Sequence, residues 1–176
     1  MNKAKYSIQA IEKFLKHHKI ATFDQLKTAI GNPARCTVFR KLANLEYLSS
    51  YSHRGKYYTL RSIARFNALG LWDYRSVWFS RFGNLLDTTE TLVKSSEAGY
   101  TATELKEVLH VKTKHALTQL VRSRRIQREP FESVYVYLSG EDHIADQQRK
   151  ARKSHLKDSF ASVVIVNPDL AVEEAK

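Results

Sequence analysis

The sequence predicts a mostly helical α+β protein in which one small module is built twice. Three observations carry this. Thr22-Phe-Asp-Gln25 opens an apolar-periodic run through Leu26 and Ile30, and Thr101-Ala-Thr-Glu104 opens another through Leu105 and Leu109. A second run at helical spacing follows each, with Val38, Leu42 and Leu45 in one copy and Thr113, Leu117 and Leu120 in the other. Each copy then closes on two β-rich stretches, Tyr47 to Leu60 around His53-Arg54-Gly55 and Ile126 to Leu138 around Pro130-Phe-Glu-Ser133. Leu26 and Leu105 are 79 residues apart and Leu60 and Leu138 are 78 apart, so the register matches at both ends. A period kept over that length marks a duplicated supersecondary unit.

In chain order, Ser7 is placed to cap a helix running to about Lys19, with Ile8, Ile11, Phe14 and Leu15 on one face. Thr22 to Gln25 reads as a capping box, in which hydroxyl and amide satisfy each other's free backbone groups. Its helix stops at Gly31, which tolerates a left-handed helix end. Asn32-Pro33 reads as a cap with proline in the first turn of a helix from about Ala34 to Leu45. Tyr47 to Tyr51 and Lys56 to Leu60 then form a hairpin.

Residues 61–84 are too aromatic for a flexible linker. Ser62 to Gly70 reads as a short helix, and Trp72, Tyr74, Trp78, Phe79 and Phe82 are expected to pack between or against the two modules as an ordered connector. The second copy takes Asn84 to Ser95 as its first helix, with Leu85, Leu86, Leu92 and Val93 inward. A capped helix from Thr101 follows, then a helix from Lys112 to Arg124 and strands Ile126–Glu129 and Val134–Leu138. A polar helix is expected over about 142–157. Val163 to Val166 reads either as a short strand or as an unpaired segment before an acidic end. The expected division is 1–60 for the first module, 61–84 for the connector, 85–139 for the second module, and 140–176 for a C-terminal helix and tail.

The net charge of +11 points to a polyanionic partner. Residues 1–60 hold 11 Lys and Arg against 3 acids, whereas residues 85–139 hold 8 against 7. The copies share a framework but are not expected to share a role. One cysteine, Cys36, excludes a disulfide framework and a four-cysteine zinc site within the chain. The start carries no signal-peptide pattern, and no apolar run approaches a membrane span of about 18 residues. A cytoplasmic location is expected.

Helix, tight turn, helix and two-stranded ribbon together resemble a winged helix-turn-helix over residues 7–60 and again over 85–138. The resemblance implies a tandem of two winged helix-turn-helix domains that bind double-stranded DNA, with the helix after the turn entering the major groove. Tandem winged helices occur in transcription factors, plasmid replication initiators, mobile-element recombinases and the kleisin-associated subunits of bacterial condensins. The last tend to be acidic, unlike this chain.

On the first such helix, Val38, Leu42 and Leu45 face the core and leave Arg35, Thr37, Arg40, Lys41 and Asn44 toward solvent or DNA. Arg35, Thr37 and Arg40 lie nearest the helix start, where side chains reach base edges, and an arginine fork can hold guanine O6 and N7 together. Lys41 and Asn44 suit phosphate. His53, Arg54 and Lys56 surround the hairpin turn that the resemblance makes a wing. The second copy offers Lys112 and Lys114, then Arg122, Arg124 and Arg125. Two roles are open to this arginine cluster, together with Arg128: gripping phosphate, or pairing with Glu129, Glu132 and other acids of its own module. Its turn is not basic, so protein contact, including a homodimer, is an alternative for this module and for the C-terminal helix.

No metal or cofactor is expected. His17 and His18 point about 100° apart on a helix, and His110 and His115 are not at a one-face spacing. Phosphate-loop, nucleophile-elbow and zinc-protease motifs are absent, so an enzyme is not expected. Cys36, beside Arg35 near a helix start, has a setting that suits an oxidisable, redox-sensing thiol; a part-buried structural role is the alternative. The function expected is sequence-specific binding of duplex DNA by a prokaryotic or phage transcriptional regulator. The alternative is a non-catalytic DNA-end or origin-binding component of a transposition or replication machine.

Overall fold

A computed structural model describes residues 7–166, and their side chains through residue 155. Among the described residues, seven α-helices and three small antiparallel sheets make an α+β fold. The chain divides into two compact units, Met1–Thr88 and Thr89–Lys176. None of the helices is long and apolar enough to cross a membrane among the described residues.

The first unit runs α1 (Ile8–His18), β1 (Ala21–Thr22), α2 (Phe23–Ala29), α3 (Arg35–Ala43), β2 (Tyr47–Ser49), β3 (Tyr57–Leu60), β4 (Leu71–Tyr74) and β5 (Val77–Ser80). Next come α4 (Leu85–Ser95), β6 (Tyr100–Thr101), α5 (Ala102–Leu109), α6 (Lys114–Arg122), β7 (Ile126–Phe131), β8 (Val134–Ser139) and α7 (Asp142–Val166). Sheet order is β1-β3-β2 in the first copy and β6-β8-β7 in the second. Tyr47 pairs with Leu60 and Ile126 with Ser139, while Ala21 pairs with Tyr58 and Tyr100 with Tyr137. Every one of these positions is displaced by 79 residues, so the partner of Leu60 is Ser139 and not Leu138.

Both capping boxes form. Thr22 and Thr101 accept from the amides of Gln25 and Glu104, whose side chains accept from the Thr amides in return. α2 closes in a Schellman pattern: Asn32 N–H donates to Lys27 O at 2.9 Å and Gly31 N–H to Thr28 O at 3.1 Å, with Gly31 at φ 86°. In the second copy the matching left-handed position is His110. Asn32 is itself left-handed and Ala34 is the N-cap of α3, so Pro33 precedes the helix and does not fill its first turn. Ser7 occupies the N-cap of α1 without a side-chain cap bond, its hydroxyl turning to Gln9 instead.

The first core joins Ile11, Leu15, Ala21, Leu26, Ile30, Val38, Leu42 and Leu60. In the second unit Leu92, Val93, Leu105, Leu109, Leu117, Leu120 and Ile126 are buried, as are Val136 and Leu138. Fully burying each such aliphatic is worth about 1.5–3 kcal/mol.

Residues 61–84 differ from expectation. No helix forms over 62–70; Asn67 instead takes the amides of Leu69 and Leu71 on its side chain, each at 3.0 Å. Leu71–Tyr74 and Val77–Ser80 form a hairpin turning on Arg75 and Ser76, both left-handed, which is the backbone of a type I′ turn. This hairpin belongs to the first unit: Tyr51 N–H donates to Trp78 O at 3.0 Å, and Trp78 N–H to Ser52 Oγ at 2.8 Å. Its aromatics pack there too, with Phe79 buried beneath Trp72 at 5.3 Å.

The C-terminal helix is longer than the sequence suggests and carries Val163 to Val166, which form no strand. Gln148 anchors it. The side chain is 1% exposed, accepts from Ser139 N–H at 2.8 Å and donates to Val93 O at 2.7 Å and Ser96 O at 2.9 Å. The acidic end lies outside the described residues.

Candidate nucleic-acid interface

At about 100° per residue, burying Val38 and Leu42 turns Cys36, Arg40, Ala43 and Asn44 directly outward on α3. All four are exposed. Thr37 and Lys41 flank that face and are half-buried. On the other flank, Phe23 and Phe39 stack at 5.2 Å, and the Arg35 guanidinium lies over both rings at 5.0 and 5.3 Å. Burial raises the pKa of the neighbouring Tyr58 hydroxyl, and the Arg35 charge partly offsets that rise. Arg35 is therefore held against aromatic rings, whereas Arg40 stands clear. The sequence reading missed Cys36 as a member of the outward face; its position four residues before Arg40 was the available signal. It is exposed, so the part-buried alternative does not hold.

The turn of the first hairpin is a left-handed one. His53, Arg54 and Gly55 have φ of 52°, 56° and 72°. Left-handed backbone costs a non-glycine residue about 1–2 kcal/mol, so neighbouring bonds must hold the turn. Buried Ser50 and Ser52 supply them. Ser50 Oγ donates to Ser52 O at 3.0 Å, Gly55 N–H to Ser52 O at 3.1 Å, and Ser52 Oγ lies 2.9 Å from His53 Nδ1. With Trp78 bonded to the same serine, the β4–β5 hairpin braces the turn and leaves His53, Arg54 and Lys56 exposed at its tip.

In the second unit the cations are used differently. Arg125 grips Glu90 through Nε at 2.9 Å and through a second, closer bond. Arg149 clasps Glu129, Arg152 clasps Glu104 at 2.9 and 3.1 Å, and Lys94 meets Glu141. Arg125 is thus paired within its own unit, one of the two roles open to it. Arg128 lies over the exposed Tyr135 ring at 4.4 Å. Lys112, Lys114, Arg122 and Arg124 remain exposed without an acid partner among the described residues, but the outward face of α6 is mainly neutral, with His115, Thr118, Gln119 and Arg122. The first unit holds 15 Lys and Arg against 5 acids, a net +10, and the second holds 14 against 13, a net +1.

These ion pairs are expected to make the second unit acid-sensitive. The Arg149 hydrogen bonds hold the Glu129 carboxyl below the usual range. Burial alone would raise Glu104, but bonds from Arg152 and the Thr101 amide outweigh it and lower its pKa. A carboxyl depressed on folding adds stability above its unfolded pKa, about 4.3 for Glu, and loses it as pH falls through the folded value. Urea midpoints from far-UV circular dichroism should therefore drop below about pH 4.3 in the native chain. In a Glu104→Gln/Glu129→Gln variant that drop should be smaller; an equal drop would show that these pairs contribute nothing.

Comparison with family models, curated proteins and solved structures gives no match.

Proposed function

We propose that the chain is a tandem winged helix-turn-helix protein that binds duplex DNA in a sequence-specific way, with the first unit as the reading module. The observation that carries the proposal is the charge arrangement. α3 and the braced hairpin turn present Arg40, Lys41, Arg54 and Lys56 without acid partners among the described residues, in a unit of net +10. In this reading α3 lies in the major groove, with Arg40 and Asn44 toward base edges and phosphates, and the turn at Arg54 rests on the backbone. The serine-braced turn supports a wing, because a fixed tip loses little freedom on binding. The second unit, nearly neutral and internally paired, contributes orientation or self-association. Regulation of transcription is the biological role put forward.

Cys36 provides the direct test, because it is the one cysteine and shares the outward face of α3 with Arg40. Duplex DNA should slow its alkylation by a maleimide by about 10-fold or more at DNA concentrations that saturate about 90% or more of the sites. Pre-alkylated protein should bind duplex poorly. Unchanged alkylation on saturated DNA would remove α3 from the interface.

A further inference from the structure

A second concave surface of the first unit lies apart from the outward face of α3 and the tip of the first hairpin. It forms where the C-terminal turn of α1, the turn after β3 and strand β4 converge, and it encloses about 590 Å³. That volume falls within the range of small-molecule sites, about 300–1,000 Å³. Trp72 and Tyr74 share one face of β4 because strand side chains alternate. Their rings lie 6.2 Å apart at 26°, a nearly parallel pair along one wall. Lys16, Lys19, Arg65 and Ser62 line the rest with Glu12.

The single carboxylate is already occupied, since Glu12 accepts from Lys16 at 2.6 Å. Lys19 and Arg65 have no acid partner among the described residues, and neither the Ser62 hydroxyl nor the Trp72 indole N–H has a hydrogen-bond partner there. Two uncompensated cations, a hydroxyl and an indole donor beside a pair of aromatic rings match a ligand that is planar at one end and anionic at the other. A smaller hollow of about 260 Å³ shares Tyr74 in its lining, with His18, Gln25, Tyr57 and Arg75 among others. Arg75 lies over the Tyr74 ring at 5.4 Å. Tyr74 is thus shared by two compartments, one lined by Lys19 and Arg65 and the other by Arg75.

We propose that this groove binds nucleotide units, with bases stacked on Trp72 and Tyr74 and phosphates held by Lys19, Arg65 and Arg75. Aromatic platforms along a basic track are the physical basis of single-strand binding, because every base offers a ring face and every linkage a charge. The two compartments that share Tyr74 suit consecutive nucleotides of one strand. The site does not depend on the duplex reading of α3.

The test uses the full chain with Trp78→Phe, which leaves Trp72 as the only tryptophan. Oligo(dT) and dTMP are titrated separately while Trp72 fluorescence is followed. Oligo(dT) should quench it, and the exposed pair Lys19→Gln/Arg65→Gln should weaken binding by about 10-fold or more. Trp72→Leu should weaken binding of fluorescein-labelled oligo(dT), read by anisotropy, to a similar extent. Quenching by oligo(dT) alone assigns the site to a strand, and comparable quenching by dTMP assigns it to free nucleotides. Absence of quenching by both, or quenching indifferent to the Lys19/Arg65 pair, overturns the proposal. The same pair should leave duplex protection of Cys36 intact, so failure of one site is distinguishable from failure of the other.

Discussion

Replacing Arg40, Lys41, Arg54 and Lys56 together with glutamine will weaken duplex binding by about 10³–10⁴-fold at about 0.1 M salt. Each phosphate neutralised contributes about 0.9 to the log–log salt slope, so losing the three phosphate contacts of Lys41, Arg54 and Lys56 makes the slope shallower by about 2.7. None of the four side chains is in an ion pair among the described residues, so their removal leaves no buried acid behind and the fold should survive. The matching substitution of Lys112, Lys114, Arg122 and Arg124 should cost less than about 10-fold, because in this reading the second unit makes no phosphate contacts. Single substitutions should separate two kinds of contact. Arg40→Ala should cost about 1–3 kcal/mol and relax preference at one position, whereas Arg54→Ala should weaken all sequences alike and reduce the slope by about one. Equal losses from the two quadruple variants would show that both units bind DNA and that the assignment to the first is wrong.

Gly99→Ala will be among the most damaging single substitutions in the second unit, costing about 2–5 kcal/mol. Two penalties combine. Gly99 sits at φ +67°, and a Cβ there would come within 2.6 Å of Tyr137 O and of a Leu138 methyl. The oxygen belongs to β8, the central strand of its sheet, so relief requires moving the strand and not merely a side chain. Gly55→Ala separates the terms: its φ is +72°, but the nearest atom to a new Cβ is 3.8 Å away. That variant should cost only the conformational strain, about 1–2 kcal/mol. Urea unfolding followed by far-UV circular dichroism measures both. A Gly99→Ala loss no larger than that of Gly55→Ala would mean that β8 yields easily at Tyr137.

What could be read from the sequence was whatever neighbours in the chain decide. The capping boxes at Thr22 and Thr101 were legible because a hydroxyl and a carboxamide or carboxylate three residues apart satisfy each other locally. The 79-residue displacement was partly legible: it slipped by one at the last strand, where Leu60 has Ser139 as its counterpart, and by four in the helix before it, where Val38 corresponds to Leu117 and not to Thr113. The β4–β5 hairpin was hidden because its turn residues, Arg75 and Ser76, are neither the Asn nor the Gly that normally announces a left-handed pair. Val163 to Val166 misled in the opposite sense: β-branched residues favour strands, but a helix already propagating from Asp142 adds each further residue at little cost. Within the candidate site, the outward set on α3 followed from periodicity. The placement of Arg35 over Phe23 and Phe39, the serine brace under Arg54 and the pairing of Arg125 with Glu90 did not, since each joins residues from separate segments or depends on side-chain placement.

A chain that writes the same strand order twice in one register must also keep its copies apart while it folds, since tandem repeats are prone to exchanging equivalent segments. β1 and β6 are the segments most open to such an error: each is two residues long, each precedes a capping box, and each pairs with the central strand of its own sheet. The difference between them lies at a single position. Ala21 is fully enclosed where it faces Tyr58, and the residue at its place in the second copy is Tyr100, half-buried opposite Tyr137. Seating β6 on β3 would force a tyrosine into a space closed around a methyl group, and overpacking of a core costs about 1–3 kcal/mol or more. The reverse exchange would leave Tyr137 facing an alanine and the room of a phenol ring empty. The alanine thus disfavours the wrong strand by size in the packed sheet.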